Sequence, residues 1–281
     1  ERAFRRLFTV PGRSAVDAVA SWLGGSTVGV LVTVSQYRNG FYSGREAAVI
    51  ATNFSIVSIA FAYVIVEAVN LEDMFFQFYA VMTLSGIVCA MILPRIPPLS
   101  WKQDTVLTDN PMRAEAGAGL GAAWRKAIAR AEAAPGPRKL LRIITVNILD
   151  IWLGLIPAAM VIATASLAVA EMTPIFDWIG APFRYLLEAL RIESAREAAP
   201  AMVIGFADMF LPALIAADIA SPETRFIVAV VAVGQLIFMS EVGVLMLKSE
   251  LPLNIVDLIM IFILRTLIIL PLAVLGAGLV F

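Results

Sequence analysis

The chain has 281 residues, of which 60% are hydrophobic and only 15% are charged. Because a soluble globule of this length needs more polar surface, the composition indicates a membrane protein. A formal net charge of −1 points to no particular partner, and we expect no nucleic acid among the partners. The sequence contains no His, which excludes imidazole metal ligands and catalytic pairs of Ser or Cys with His.

The amino-terminal segment, residues 1–13, places four arginines among apolar residues. This pattern is typical of a short amphipathic segment that lies on a membrane surface. The chain begins with Glu1 rather than Met and has no signal-peptide pattern, so we expect an upstream segment. Its single cysteine, Cys89, lies in an apolar span and cannot form an intrachain disulfide.

Residues 14–35 are apolar but are interrupted by Gly24-Gly25-Ser26-Thr27. Two half-helices of about ten residues reach only ~15 Å each, half the hydrocarbon thickness, which predicts a re-entrant hairpin. One kinked spanning helix is the alternative. The glycines would let the tip approach a ligand, and the N–H groups near Thr27 would suit an anion or a hydroxyl-rich solute. Ser26 and Thr27 can donate to that solute, although Ser26 can equally be an N-cap alone.

Two similar hexapeptides suggest an internal repeat. They are Ser43-Gly-Arg-Glu-Ala-Ala and, 151 residues later, Ser194-Ala-Arg-Glu-Ala-Ala. Each predicts a capping box, in which the serine side chain accepts from a backbone N–H and the glutamate reaches back. Chance similarity in an apolar sequence is the alternative.

The first repeat is predicted to cover residues 1–94, with spans at 47–69 and 74–93. Polar residues occupy the first half of the 47–69 span, where Thr52 and Ser55 share one helical face with Asn53 beside them. They can contact a solute or join helices. The loop 95–142 is rich in Arg and Lys and is therefore predicted to be cytoplasmic. Leu120, Trp124 and Ile128 predict an interfacial helix within it.

After a linking span at 143–170, the second repeat is predicted at 174–247. It would contain a hairpin at 174–191, broken at Gly180-Ala181-Pro182, and spans at 201–217 and 226–247, followed by a last span at 255–281. Residues 1–13, 36–46, 95–142 and 218–225 would share the basic, cytoplasmic side. The predicted fold is therefore an all-α polytopic membrane protein with two inverted repeats. Each repeat would consist of a re-entrant helical hairpin plus two spanning helices, with additional spanning helices outside the repeats.

The stretch VPGRSAVDAVASWLGGSTVGVLVTVSQYRNGFYSGREAAVIATNF (residues 10–54) and the stretch FMSEVGVLMLKSELP (residues 238–252) resemble the nucleoside-recognition, or Gate, domain family of bacterial membrane proteins, in its YjiH-like branch. The order of elements is also similar to the core of concentrative nucleoside transporters. The resemblance implies a bacterial inner-membrane protein whose solute lies between hairpin tips and broken helices, with a cation coupled to uptake. The chain differs in lacking the preceding scaffold helices and in having an additional carboxy-terminal span.

Carboxylates inside a span are functional candidates, because an unpaired charge in hydrocarbon is costly. Asp150, Asp208, Glu241 and Asp257 qualify, and pairing with Arg265 is the structural alternative for any one of them. We predict that Asp208 and Glu241 bind a coupling cation, Na⁺ or H⁺, or solute hydroxyls, and that Asn53 contacts the solute. The complete predicted solute site consists of Gly24, Gly25, Ser26, Thr27, Thr52, Asn53, Ser55, Gly180, Asp208, Gln235 and Glu241. No other cofactor is expected.

The predicted function is secondary transport of a small polar solute, such as a nucleoside, by alternating access. A homo-oligomer or a partner membrane subunit would supply the missing scaffold. A membrane assembly or maturation factor that does not transport is the first alternative. An intramembrane aspartyl enzyme using Asp150 and Asp208 is the second, and we expect no enzymatic activity.

Overall fold

The computed structural model describes residues 2–109 and 135–281, together with Gly121, Trp124, Arg125, Ile128 and Glu132. These residues form helices and no strand. The predicted interfacial helix from Leu120 to Ile128 lies largely outside the described residues.

The elements run in one series along the chain. They are α1 (Arg2–Phe8), α2 (Ser14–Gly24), α3 (Ser26–Arg38), α4 (Gly44–Asn53), α5 (Ile59–Ala68), α6 (Phe75–Ile92), α7 (Pro137–Met172), α8 (Ile175–Ala189), α9 (Ala195–Ile204), α10 (Leu211–Ala217), α11 (Pro222–Gly234), a π-helical turn (Met239–Gly243), α12 (Val244–Lys248) and α13 (Ile255–Val280).

Three helical stretches among the described residues are long and apolar enough to cross a membrane: Glu72–Arg95, Pro222–Lys248 and Ile255–Val280. The end of α7 and α8 together pass the same test but are bent by 79°, so they are a fourth candidate. The prediction of an all-helical protein is therefore confirmed for the described residues, and three to four of its helical stretches could cross a membrane.

Helices α2 and α3 fold back on each other at Gly25. Thr33 on α3 donates to Asp17 on α2 over 2.9 Å, and Gly29 packs directly against Ser21. Gly25 has a φ of 98°, in the left-handed region that costs glycine little. The predicted reversal is present, and the alternative of one kinked helix is wrong.

The predicted span at 47–69 is interrupted. Helix α4 begins with the predicted capping box: the N–H of Glu46 donates to Ser43 Oγ over 3.3 Å, and the N–H of Ser43 donates to Glu46 over 2.9 Å. It ends at Asn53, and α5 starts anew after Ser58, which accepts from the N–H of Phe61.

The predicted hairpin at 174–191 is wrong, because α8 runs without a break through Gly180 and Pro182. Gly180 does not have the positive φ that allows the reversal at Gly25. It allows close packing instead, since a Cβ there would lie 2.9 Å from the carbonyl oxygen of Ala199 on α9. The second capping box is also absent: Ser194 has a φ of 52° and makes no side-chain cap.

Helices α9 and α10 fold back on each other instead, so the predicted span at 201–217 is wrong. Thr224 Oγ1, in the first turn of α11, donates to the carbonyl of Glu193 over 2.8 Å. The start of α9 therefore lies beside the segment that follows α10. Residues 205–210 form the tip of this second hairpin, where Gly205 and Pro212 disfavour a continuous helix.

The chain leaves the helical conformation at residues 235–238, between α11 and the π-helical turn that precedes α12. Ser221 caps α11 by accepting from the N–H of Thr224 over 3.3 Å. Leu236 at the interruption has a φ of 57°, which is uncommon for a residue other than glycine. The predicted span at 226–247 is thus two helical pieces joined by an irregular segment and a π-helical turn.

The two interrupted pairs run in opposite directions. Gly44, at the start of α4, packs against Pro252, beyond the end of α12. Arg225, at the start of α11, donates to the carbonyl of Val69, at the end of α5. Residues 218–225 therefore lie at the opposite end of the molecule from residues 36–46, which corrects their predicted placement on one side.

The order hairpin, interrupted helix pair, continuous helix occurs twice among the described elements, in α2–α6 and in α9–α13. Helix α13 packs against α6 and α11 through glycines at both contacts. A Cβ on Gly234 would lie 2.7 Å from Ile269, and Gly276 leaves similarly little space beside Val81. The helix at 255–280 thus belongs with the second group of elements rather than outside it.

Candidate functional site

The tip of the first hairpin is bound to the π-helical turn after α11. Ser26 Oγ donates to Glu241 Oε1 over 3.2 Å, and the hydroxyl of Thr27 donates to the same oxygen. The structure therefore brings together three residues that the sequence predicted to share a site. They come from segments more than 200 positions apart.

The tip of the second hairpin is bound to the same turn. The N–H of Met239 donates to the carbonyl of Phe206 over 2.8 Å, and the N–H of Ser240 donates to that of Ala207 over 2.9 Å. Asp208 and Glu241 directly follow the bonded pair Ala207 and Ser240. The segment from Met239 to Glu241 is thus held between the two hairpin tips.

Asp208 shapes the second tip through its own backbone. Its Oδ1 accepts from the N–H of Phe210 over 2.8 Å, and its side chain is half-buried. Asp208 therefore stabilises the turn that forms the second tip. The described residues contain no group of three or more His, Cys, Asp or Glu that could hold a metal ion. A cation here would thus need backbone or hydroxyl oxygens as further ligands.

The amino-terminal end of α3, which the sequence predicted to face a solute, is occupied by the carboxylate of Glu241. The first backbone N–H groups of a helix are unpaired, and the helix dipole favours negative charge there. Ser26 and Thr27 are the first two residues of α3, and both side chains donate to Glu241. An anionic solute at this tip would have to displace Glu241.

The first hairpin also contacts the interruption between α4 and α5. Ser21 Oγ donates to the carbonyl of Ile56, and Gly29 approaches Ser55 so closely that a Cβ would lie 3.3 Å from its Cα. The hydroxyl of Ser55 is buried and has no hydrogen-bond partner in the described structure. The hydrogen-bonding capacity of this member of the predicted solute site is therefore unused.

Arg265 holds the ends of two interrupted helices. Its Nε and Nη2 donate to the carbonyl of Gly234, at the end of α11, over 2.9 and 2.7 Å. Its Nη1 donates to the carbonyl of Thr52 and to Asn53 Oδ1, at the end of α4, over 3.1 and 2.9 Å. The alternative that Arg265 pairs with an intramembrane carboxylate is wrong for the carboxylates that the structure describes, because carbonyl groups left unpaired at helix ends bind it instead.

The amide of Asn53 is occupied at both ends. Besides accepting from Arg265, it donates to the carbonyl of Val49 and to Thr52 Oγ1, both over 3.1 Å. Thr52 itself donates to the carbonyl of Ala48 over 2.7 Å. A solute that contacts Asn53 would have to break one of these bonds.

Gln235 joins three helices at the second interruption. Its Nε2 donates to the carbonyl of Met202 on α9 and to Thr266 Oγ1 on α13, both over 2.8 Å. Its Oε1 is buried without a hydrogen-bond partner and lies against Gly205. Gln235 thus fixes the second hairpin to α11 and α13.

Two predicted candidates have structural roles. Asp257 completes a capping box with Asn254 and forms a 2.6 Å ion pair with Lys102. Gly180 packs α8 against α9. The side chain of Asp150 lies outside the described part of the structure.

A buried carboxylate that we did not single out from the sequence is Asp17 on α2. It accepts from Thr33 and from the hydroxyl of Tyr42, and it closes the base of the first hairpin. The rule that flagged the other carboxylates applies to Asp17 as well, since it lies within the apolar stretch of residues 14–35.

A search of known proteins found a relative whose own function is not described. An uncharacterized protein of Alkalihalophilus pseudofirmus is 47% identical over 285 residues. The alignment covers all of this chain but 62% of the relative, so the chain spans less than two thirds of that protein's length. No protein-family profile and no solved structure matches the chain.

Proposed function

We propose that the chain is the membrane-embedded core of a secondary transporter for a small polar solute. The observation that carries this proposal is that two hairpin tips bind one interrupted helix at residues 239–241, and that Asp208 lies in the second of these tips. Interrupted helices that place polar backbone and carboxylates near the membrane midplane are typical of transporters built from repeats. The resemblance to nucleoside-recognition domains makes nucleosides the first solutes to test.

The proposed architecture consists of two inverted repeats, α2–α6 and α9–α13, with re-entrant hairpins that enter from opposite sides. The opposite directions of the interrupted helix pairs support it. This arrangement differs from the repeats predicted from the sequence, because the second hairpin consists of α9 and α10 rather than of residues 174–191. Together with α7, the two repeats give a multi-pass protein of the bacterial inner membrane, whose basic side faces the cytoplasm.

In the proposed mechanism, Glu241 alternates between the first hairpin tip and the solute or coupling ion, Na⁺ or H⁺. Released from Ser26 and Thr27, its carboxylate could accept hydrogen bonds from solute hydroxyls, while Asp208 stays fixed on the second tip. Moving one hairpin away from the π-helical turn would open the site to one side only. A second copy of the chain or a partner subunit is proposed as the scaffold for this movement.

The test is binding and uptake in proteoliposomes, with a panel of nucleosides, bases, amino acids and dipeptides. Asp208→Asn should abolish coupled uptake while the protein remains folded and inserted. Asp73→Asn, in the exposed 3-10 turn directly before α6, is the matched control and should retain activity. Full activity of the double variant Asp208→Asn, Glu241→Gln would contradict the proposed site. If no compound of the panel binds, the transport proposal loses its support.

A further inference from the structure

The guanidinium of Arg265 is fully buried, and its hydrogen bonds go to uncharged oxygens only. The side chain has 0% exposure, and its partners are the carbonyls of Gly234 and Thr52 and the amide oxygen of Asn53. No ion pair of Arg265 with a carboxylate occurs in the described part of the chain. Because a buried charge without compensation is strongly unfavourable, something else must stabilise this cation.

The compensating charge comes from two helix ends. The last carbonyls of a helix are unpaired, and the helix dipole places roughly −0.5 elementary charge at each carboxyl end. Helix α4 ends at Asn53 and α11 ends at Gly234, so Arg265 contacts both ends at once. Together these ends supply about one negative charge and a set of oxygen ligands.

We propose that the ends of α4 and α11 form a cation site and that Arg265 is its permanent occupant. Unwound carbonyls and half-helix carboxyl ends are the groups with which transporters built from interrupted helices bind a free coupling cation. In this chain the guanidinium fills that position. A free cation, if one is coupled to transport, therefore binds elsewhere, and Arg265 keeps α4 and α11 joined to α13 throughout the cycle.

The site has room for a free cation once the arginine side chain is removed. A cavity of about 70 Å³ adjoins the guanidinium, and Asn53, Phe54, Gly234 and Leu236 are among its lining residues. This volume is already larger than that of one water molecule. Truncation at position 265 would enlarge it while leaving all the oxygen ligands in place.

The test is chemical rescue of the Arg265→Ala variant. The variant is purified in detergent, and its melting temperature is measured by thermal unfolding with choline chloride as the background salt. Added guanidinium should raise the melting temperature of this variant in a saturable way, at concentrations that leave the wild type unchanged. At a hundredfold excess over Kd, the ratio of folded to unfolded protein should rise about a hundredfold. A selective stabilisation of the variant by Na⁺ would support the site as well.

Arg225→Ala is the matched control. Arg225 also donates to a helix-end carbonyl, that of Val69, but it is only partly buried, so water can replace it. Guanidinium should therefore not stabilise this variant. If neither guanidinium nor Na⁺ stabilises Arg265→Ala more than the control, the inference is overturned.

A second pair of variants covers the case in which Arg265→Ala does not fold. Arg265→Lys keeps the positive charge, whereas Arg265→Gln keeps neutral donors. Arg265→Lys should remain monodisperse and should have a higher melting temperature than Arg265→Gln. Equal melting temperatures of the two variants would overturn the inference. None of these measurements requires a solute, so their failure is distinguishable from failure of the proposed transport function.

Discussion

Thr27 donates its hydroxyl hydrogen to the carboxylate of Glu241 although 214 positions separate the two residues. This contact joins the first hairpin tip to the interrupted helix of the second half of the chain. It is one of the two hydrogen bonds between hairpin tip and carboxylate that have to break if the first hairpin moves during a transport cycle.

We predict that Thr27→Val and Glu241→Leu destabilise the protein less than additively. Each variant removes one partner of the same bond, so the double variant should cost less than the sum of the single ones, with a coupling of about 1 kcal/mol. Denaturation in detergent of all four members of the cycle measures it. Thr27→Ser keeps the hydroxyl and should resemble the wild type. Strict additivity would show that the contact contributes nothing.

We predict that Gly205→Ala is destabilising by about 1 to 3 kcal/mol, because its Cβ would overlap with Oε1 of Gln235. Gln235 cannot move freely, since its Nε2 binds Met202 and Thr266. The cost should shrink in a Gln235→Ala background. Gly86→Ala is the control: a Cβ there meets no atom within 4 Å, and the change should be neutral or stabilising by up to about 1 kcal/mol.

We predict that Lys102→Met destabilises the protein far more than Arg38→Met. The Lys102 and Asp257 side chains are only 16% and 10% exposed, whereas Arg38 and Glu250 are 58% and 48% exposed. Breaking the buried pair leaves an uncompensated carboxylate and should cost about 3 kcal/mol, while water replaces the partner at the exposed pair. Thermal unfolding of both variants tests this. Equal effects would mean that Asp257 is not buried as described.

We predict a small loss of stability in acid that depends on Glu250. The hydrogen bond from Arg38 lowers the pKa of Glu250 below its ordinary value of 4.5. A carboxyl with a lowered folded-state pKa stabilises the protein above its unfolded-state pKa, and this contribution is lost as the pH falls through the folded-state value. The acid-induced fall in melting temperature should therefore be smaller in Glu250→Gln, and high salt should reduce the difference. Identical pH profiles would contradict the pairing.

We predict that residues 193 and 218 lie on one side of the membrane and residue 39 on the other. Single cysteines at Asn39, Glu193 and Asp218, which are all exposed, can be labelled with an impermeant reagent in a Cys89→Ala background. Asn39 should be cytoplasmic. Labelling of positions 39 and 193 from the same side would contradict the inverted arrangement, and labelling of 39 and 218 from the same side would contradict the second hairpin.

The sequence by itself determined the features that depend on local chemistry. Its apolar composition indicated a membrane protein, Gly24-Gly25 favoured a reversal, and Ser43 with Glu46 predicted a helix start. The continuous helix at Ile255–Val280 also followed, because its apolar run has the length of a membrane span. These features need only neighbouring residues.

The tertiary structure alone decided where the other helices stop. The apolar residues around Leu236 resemble those of a continuous span, so hydropathy predicted no interruption there. The interruption is stable because Arg265 binds the carbonyl of Gly234, which the broken helix α11 leaves unpaired. Arg265 lies on another helix, 31 positions away in sequence, and a carbonyl buried in an apolar protein cannot remain without a partner. For the same reason the second hairpin lies at residues 195–217, where its tip finds partners in Met239 and Ser240.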